Sequence, residues 1–362
     1  MPADASVRRT RPDACPGALD VHPAADGGLA RVRVPGGTLT NDQFRALITA
    51  AAELGDGSIE LTSRANAQIR GLADGAQFPL ARRLADAGLL PSLEHERVRN
   101  VIASPLGDTQ RTVDEIDRRL RADPVLAGLP GRFLITVDDG TGDVSGLRGD
   151  VGLHRVGATA DALLLAGRDT GLRVADGPAT VIAAARAFAE LRGSAWRLAE
   201  LQDGTTAITE RLGVPGRERL ALPPAPPPAP GRHGDLLVVG VPLGRLDQRA
   251  AHALAALGTT VRLTPWRSVV VPGGDREALR LGDLVTDPAS PWHGVTACTG
   301  RPGCAKSLSD VRGDAARWVR AGSRTDDLPV HWAGCERRCG RPTGPVVDVV
   351  ATGDGYDVRR DQ

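Results

Sequence analysis

Lysine is almost absent from this sequence, although arginine is abundant. Only Lys306 is a lysine among the 45 basic residues, and 44 acidic residues leave a formal net charge of +1. Proteins that bind nucleic acids carry an excess of positive charge, and the composition shows none. We therefore expect no nucleic-acid partner.

Long apolar runs are missing as well. No stretch approaches the ~18 apolar residues of a bilayer-spanning helix, and no apolar segment of a secretory signal follows the arginines of residues 1–13. We expect a cytoplasmic protein without a membrane partner. Thiols stay reduced in the cytoplasm, so the five cysteines indicate metal ligands, catalytic groups or small buried side chains rather than disulfides.

The length and one proline-rich segment predict how the chain is divided. A chain of 362 residues exceeds one ordinary apolar core, which predicts two or three domains. Within residues 222–231, six of ten residues are proline. Because proline restricts φ and lacks an N–H donor, residues 223–231 are predicted to form an extended, semi-rigid linker.

The parts before and after this linker resemble each other. Residues 34–39 and 241–246 both begin with Val-Pro, and each precedes a segment whose apolar residues recur every three or four positions, as in a helix with one buried face. Further matches follow in the same order, which indicates an internal duplication, and alternating helices and strands predict an α+β protein. These matches are 60–62 with 262–264 and 100–105 with 297–302; helices are also predicted at 113–127 and 178–193, and strands at 133–137 and 162–166.

Four of the five cysteines form two pairs. Cys298 and Cys304 have the spacing C-x5-C, and Cys335 and Cys339 have the spacing C-x3-C. Zinc sites usually use closer pairs, whereas a wider loop suits the four thiolates of a [4Fe–4S] cluster, and nearby glycines let backbone amides approach the cluster sulfurs. The pattern predicts such a cluster, with a zinc site or four unrelated buried cysteines as alternatives. Cys15 is interpreted as a small buried side chain.

These motifs resemble a known group of enzymes. The cysteine pattern, the duplication and the segment Thr-Ser-Arg-Ala-Asn-Ala-Gln-Ile-Arg-Gly at residues 62–71 resemble the sirohaem-dependent nitrite and sulfite reductases. Within that superfamily the chain is most similar to the precorrin-3B synthase family. This likeness rests on the short chain and on Cys-Pro-Gly-Ala-Leu at 15–19, Leu-Pro-Gly-Arg-Phe at 129–133, Asp-Asp-Gly at 138–140 and His-Trp-Ala-Gly-Cys at 331–335.

The resemblance implies a fold in which the two halves pair into one central ferredoxin-like domain, with two flanking α+β domains around a cleft. The implied domains are a first ferredoxin-like half (11–90), a first reductase-like domain (91–222), the linker (223–231), a second ferredoxin-like half (232–288) and an iron–sulfur cluster domain (289–362).

The resemblance also implies an activity. The cleft would hold precorrin-3A, which is hydroxylated at C20 with dioxygen and closed to a lactone, giving precorrin-3B in aerobic cobalamin biosynthesis. Electrons would come through the cluster from a separate NAD(P)H-dependent donor. The family implies a mononuclear non-haem iron in addition, for which His331 is the best candidate ligand, with a hydrogen-bonding role as the alternative.

Cations in the motifs are the predicted ligands of the substrate carboxylates, because the planar fork of arginine binds a carboxylate bidentately. Lys306, inside the cysteine loop, is either such a ligand or a solvated surface residue. The predicted substrate-binding residues are Arg64, Gln68, Arg70, Arg99, Asn100, Arg132 and Lys306.

Two other functions compete with this one. A sirohaem-dependent reductase would bond sirohaem through Cys339 and would need a Lys-x-Lys pair, where this chain has Arg132-Phe133-Leu134. An electron carrier or a structural zinc protein would not require 362 residues in a duplicated layout.

Overall fold

The structure is a computed structural model that describes residues 13–213, 219–223, 225–323 and 328–361. In these residues the strands form four sheets, and the buried apolar side chains form three large cores. None of the helices described is both long and apolar enough to cross a bilayer.

The first half of the central domain has an α-helix on each side of a hairpin. Thr40 caps the first helix, because its hydroxyl accepts the N–H of Gln43 while the Gln43 side chain accepts the N–H of Thr40. The helix therefore begins before Phe44, the first apolar residue of the predicted pattern. The elements are β1 (His22–Ala24), β2 (Gly27–Val32), β3 (Thr38–Leu39), α1 (Asn41–Leu54), β4 (Ile59–Leu61), β5 (Ala67–Leu72) and α2 (Gln77–Asp86).

The first flanking domain contains a mixed sheet covered by helices. Its first three strands are parallel and the last two run antiparallel. This domain contains the helices predicted at 113–127 and 178–193 and the strands predicted at 133–137 and 162–166, with ends shifted by one to five residues. The elements are β6 (Val101–Ala103), α3 (Gln110–Ala122), β7 (Ile135–Asp138), β8 (Val151–Arg155), β9 (Asp161–Leu165), β10 (Arg168–Val174), α4 (Gly177–Leu191) and α5 (Gly204–Leu212).

The second half of the central domain follows the proline-rich segment. The described residues of 223–230 contain no helix or strand, and the first strand begins at Gly231, inside the predicted linker. The elements are β11 (Gly231–His233), β12 (Leu236–Gly240), β13 (Arg245–Leu246), α6 (Gln248–Ala255), β14 (Val261–Leu263), β15 (Ser268–Pro272) and α7 (Arg276–Leu281).

The sheet of the last domain repeats the first four strands of the first flanking domain. Three parallel strands are followed by one antiparallel strand, and a helix connects the first two. The elements are β16 (Val295–Ala297), α8 (Val311–Arg320), β17 (Val330–Ala333), β18 (Val346–Ala351) and β19 (Tyr356–Asp361).

The two halves of the central domain exchange short strands. β13 pairs with β4 of the first half, with Arg245 opposite Glu60, and β3 pairs with β14 of the second half, with Thr38 opposite Arg262. The exchange is symmetric, because β3 and β13 occupy equivalent positions in the duplicated sequence. Both halves also contribute to one apolar core. The predicted α+β class, with a central domain built from both halves, is confirmed; the exact domain bounds stay predictions.

Candidate metal centre and arginine cluster

Strand order brings the two cysteine pairs to one edge of the last sheet. β16 and β17 are parallel neighbours, with Val295 opposite Val330. Cys298 directly follows β16 and donates its N–H to Trp332 at 2.9 Å, while Cys335 follows β17 after Gly334. Because the carboxyl ends of parallel strands meet at the same edge, both cysteine loops begin side by side.

The local environment of Cys298 fits a cluster ligand. Burial raises the pKa of its thiol, the nearby Cys339 and Cys304 raise it further, and the N–H groups of Gly334 and Gly300 lower it. The N–H of Gly334 donates to Cys298 Sγ at 3.2 Å. Backbone donors to a ligand sulfur are what iron–sulfur sites use to stabilise thiolate charge. These residues therefore fit the cluster that the motifs imply.

The arrangement is wider than a zinc site. A tetrahedron with Zn–S bonds of about 2.3 Å would hold its sulfurs within about 4 Å of one another. Among the described residues, no three cysteine sulfurs lie within 4.8 Å of one another. Within that part of the chain, three potential ligand atoms come that close only in Asp138, Asp139 and Asp143.

His331 and Lys306 lie near the cysteines in different settings. His331 is fully buried on β17, its Nδ1 is 2.9 Å from the Thr296 hydroxyl, and its Nε2 has no hydrogen-bond partner among the described residues. Burial and the nearby Arg267 lower the pKa of His331 to about 4, so the ring is neutral. Lys306 is exposed on the cysteine loop.

Three arginines of the first half form a second site, the arginine cluster, defined as Arg31, Arg33 and Arg64. Arg33 is 3% exposed; its Nε donates to Arg97 O at 3.2 Å, and its Nη1 and Nη2 have no partner among the described residues. Burial, with the nearby Arg31 and Arg64, lowers the pKa of Arg33 to about 9. Burial and Arg197 lower the pKa of Arg64 to about 10.

Buried or half-buried guanidinium groups that have no carboxylate partner among the described residues indicate an anion-binding site, because such a charge is costly until an anion pairs with it. The sequence interpretation missed Arg31 and Arg33. The signal was present, since the Arg-Val-Arg segment immediately before Val34 places both side chains on one face of an extended strand.

Two predicted neutral ligands support the arginine cluster. Gln68 lies opposite Arg31 on the neighbouring strand and accepts from its Nε at 3.0 Å. Asn100 donates from Nδ2 to Gly131 O at 2.9 Å, and Arg64 donates to the same oxygen at 3.2 Å. The structure thus brings Arg64, Gln68 and Asn100 together.

The other predicted cations are engaged elsewhere. Arg99 forms a buried two-point ion pair with Asp117, with distances of 2.6 and 3.1 Å. Arg70 forms another with Asp26. The guanidinium carbon of Arg132 lies 5.0 Å from the centre of the Trp196 ring, a cation–π contact.

A cavity lies in the first flanking domain. Its volume is about 950 Å³, and its lining includes Arg148, Asp150 and Arg197 of the first flanking domain. Asp150 and Arg197, which line the cavity, also act electrostatically on Arg64 of the arginine cluster. A volume of this size lies within the range of small-molecule sites.

Comparison with known proteins places this geometry in context. Residues 22–87 match the family described as the nitrite/sulfite reductase ferredoxin-like half domain. The chain is 27% identical to a precorrin-3B synthase of Sinorhizobium sp. over 384 residues, covering 97% of this chain and 83% of that protein. It is also 27% identical to a ferredoxin–nitrite reductase of Synechococcus elongatus over 404 residues, covering 92% of this chain and 77% of that protein.

A solved structure shows the same architecture. The NirA protein of Mycobacterium tuberculosis superposes with a TM-score of 0.67 at 22% identity, covering 91% of this chain and 74% of that chain. The resemblance predicted from the motifs is confirmed by these findings: the chain has a nitrite/sulfite reductase-like fold, and its residues 22–87 match the ferredoxin-like half domain.

Proposed function

We propose that this chain is an oxidoreductase that binds a [4Fe–4S] cluster on Cys298, Cys304, Cys335 and Cys339 and acts on a carboxylate-rich tetrapyrrole. The proposed substrate is precorrin-3A. One atom of dioxygen ends as a hydroxyl group at C20, and a ring A acetate oxygen adds to the macrocycle carbon beside C20 to close the lactone of precorrin-3B; the carboxyl proton passes to the inserted oxygen, so no second water is lost. The other oxygen atom leaves as water, with two electrons from a separate NAD(P)H-dependent donor.

The observation that carries the proposal is Arg33, whose Nη1 and Nη2 have no hydrogen-bond partner in the part of the chain that the structure describes. A buried cation with two free donor nitrogens favours a ligand with a fixed negative charge, and a carboxylate matches the fork geometry. Arg31 and Arg64 add charge on the same side. Several cations in one place suit a substrate with carboxylates around its rim better than a neutral one.

The edge of the last sheet where the cysteine loops begin supports the redox part of the proposal. A bound cluster would supply electrons one at a time. The chain would hold it with backbone donors such as the Gly334 N–H, and would connect it to the arginine cluster through a polar chain. In that chain Arg31 donates to Gln68, and Gln68 Nε2 donates to Glu60 at 3.2 Å.

A sirohaem-dependent nitrite or sulfite reductase is the second candidate, favoured by the likeness to the ferredoxin–nitrite reductase. Leu134 argues against it. This residue stands where the second lysine of a Lys-x-Lys pair would be, and it is 4% exposed, packed with Ile102 and Val144 in a small apolar cluster. The position therefore cannot supply a cation for an inorganic anion.

The mononuclear iron implied by the family does not fit the described residues. A two-histidine, one-carboxylate site needs its ligand atoms close together, whereas the described three-ligand group is made of three aspartates. Asp138 in that group already accepts N–H groups from Gly142 and Ser145.

The test is anaerobic purification, followed by iron and acid-labile sulfide analysis and a visible spectrum of the same sample. We expect a broad absorbance that dithionite bleaches, about four iron per chain and no sharp haem bands. Sharp sirohaem bands would favour the reductase. Zinc without labile sulfide would contradict the cluster. Incubation with precorrin-3A, dioxygen and a reductant then tests the substrate, and unchanged precorrin-3A would contradict the synthase activity.

A further inference from the structure

Two arginines of the central domain contact the cysteine loops. Arg70, on β5, donates from Nη2 to the carbonyl oxygen of Gly303 at 2.8 Å, and Gly303 immediately precedes Cys304. Arg267, in the turn between β14 and β15, donates to the carbonyl oxygen of Gly340 at 2.9 Å, and Gly340 immediately follows Cys339. Each half of the duplicated domain therefore holds the peptide next to one cysteine.

Both contacts depend on glycine in the cysteine loop. A Cβ on Gly303 would lie 2.8 Å from Asp26 Oδ2 and 3.2 Å from Arg70 Nη2, and a Cβ on Gly340 would overlap Arg267 Nη2. Arg267 itself has a φ of 58°, a conformation that is strained for a residue with a side chain. The approach of each arginine to its loop is therefore close and specific.

The charge around Arg70 is balanced. Arg70 is 5% exposed, and its Nε and Nη2 bind the two carboxylate oxygens of Asp26 at 3.0 and 2.9 Å. Glu60 lies 4.0 Å from Arg70 and also pairs with Arg312 of α8 at 2.6 Å. Net charge and hydrogen bonds near a cluster set its reduction potential. Removal of Arg70 or of Asp26 would therefore change the local charge in opposite directions.

We propose that Arg70 and Arg267 are positioning residues for the cluster, which hold the cysteine loops through Gly303 and Gly340 and set its reduction potential. This inference rests on the proposed cluster at the four cysteines. It gives Arg70 a different role from the substrate-binding one that its motif predicted. It also explains why the guanidinium of Arg70 in the β4–β5 hairpin faces a backbone carbonyl rather than an open site.

The test compares Arg70→Gln, Asp26→Asn and Arg267→Gln with Arg83→Gln as the control. Arg83 is in the same domain and pairs with Glu53 on α1, away from the cysteine loops. Each variant is purified without oxygen and analysed for iron and sulfide. The midpoint potential of the cluster and the rate of cluster loss to an iron chelator are then measured.

We expect the midpoint potential to fall in Arg70→Gln and to rise in Asp26→Asn, because the first removes a positive charge and the second a negative one. Cluster loss should be about fivefold faster in Arg70→Gln and Arg267→Gln, as for the loss of one charge-assisted hydrogen bond. The control should match the wild type. If Arg70→Gln fails to fold, Arg267→Gln, which also removes a positive charge beside a cysteine loop, and Asp26→Asn still give the two signs.

Shifts of the same sign in Arg70→Gln and Asp26→Asn, or no shift in either, would overturn the inference while the cluster itself stands. Uroporphyrin, a carboxylate-rich tetrapyrrole, serves as a probe for the substrate. Weaker binding of uroporphyrin by Arg70→Gln at an unchanged midpoint potential would also overturn the inference and would favour a substrate-binding role for Arg70. The absence of iron and sulfide from the purified wild-type protein would instead contradict the proposed function.

Discussion

At the scale of single residues, two buried arginines of similar exposure have opposite energetic roles. Arg99 is compensated by Asp117, whereas the Nη atoms of Arg33 have no partner among the described residues. Burial of an uncompensated charge lowers stability, and breaking a compensated pair lowers it too. The two arginines should therefore respond differently to the same substitution.

We expect Arg33→Met to raise the free energy of unfolding by about 1 kcal/mol, because it removes unpaired buried donors. Arg99→Met should lower it by about 3 kcal/mol, because Asp117 loses its buried partner. Urea denaturation measures both.

Arg33→Met should also abolish stabilisation by uroporphyrin, which thermal unfolding reports. Destabilisation of Arg33→Met with normal uroporphyrin binding would show that Arg33 is a structural residue.

Asp143 provides a pH-dependent test. Burial raises the pKa of its carboxyl from 3.8 to about 6, with the charges of Asp138 and Asp139 adding to the shift. The folded state then keeps a proton that the unfolded chain releases, so this stabilisation is complete below about pH 4 and is lost as the pH rises to about 6. Asp143→Asn keeps an acceptor for the Ser104 hydroxyl and does not ionise.

We expect the melting temperature of Asp143→Asn, relative to the wild type, to increase between about pH 4 and about pH 6 and then to stay constant. Other titrating groups are common to both proteins and cancel in the difference. A difference that is independent of pH would show that Asp143 has an ordinary pKa.

At the scale of elements, the two flanking domains carry different side chains at equivalent sheet edges, where the parallel strands end. Ser104 follows β6 as Cys298 follows β16. The Asp139 N–H donates to Ser104 Oγ at 3.1 Å, just as the Gly334 N–H donates to Cys298 Sγ at 3.2 Å. In the first domain Asp138 organises the loop: although burial alone would raise its pKa, hydrogen bonds from His154 and from backbone N–H groups hold it far below the usual value.

A substitution at Gly334 tests the geometry of the sheet edge where the two cysteine loops begin. A Cβ at this position would overlap the Ser307 hydroxyl, so Gly334→Ala has to move the loop that donates to Cys298. We expect less iron and sulfide per chain in Gly334→Ala and partial recovery when Ser307→Gly is added. Gly353→Ala is the control, since its Cβ would meet no atom within 4 Å. Full cluster content in Gly334→Ala would contradict the proposed geometry.

Sequence patterns predicted the longer elements better than the contacts of the site. Helix periodicity located α1 and α4, but β3 and β13 are two residues long and carry no periodicity, so their exchange could not be predicted. Motif likeness located Arg70 without revealing that Asp26 and Gly303 bind it. The abundance of arginine concealed Arg31 and Arg33, because charge counts do not show which guanidinium is buried.

At the scale of the whole molecule, the strand exchange makes the two halves dependent on each other. The apolar core of the central domain takes side chains from both halves, including Leu39 and Leu246, which are fully buried. Each sheet of that domain is completed by a strand from the other half. Neither half can bury its apolar surface alone.

We expect a split within the proline-rich segment, into residues 1–222 and 223–362, to give two fragments whose central-domain halves fold only when the fragments are co-expressed, whereas each flanking domain keeps a core of its own. Co-purification through a tag on one fragment, and amide hydrogen exchange of α1 in the first fragment alone, measure this. Leu246→Pro in the second fragment should reduce association, because proline cannot pair in β13. Protection of the α1 amides in the first fragment alone would contradict the shared core.

The strand exchange also constrains the ancestry of the chain. Had the chain arisen by fusion of two identical half-length copies, each copy would have needed the short strand of the other to complete its sheet, so the copies would have paired as a two-fold symmetric homodimer. Such a dimer would have had two identical strand edges. In this chain the two edges differ, since one carries a loop that Asp138 closes and the other carries the loops of Cys298 and Gly334. A fused chain is free to hold one asymmetric centre, which strict two-fold symmetry does not allow away from its axis.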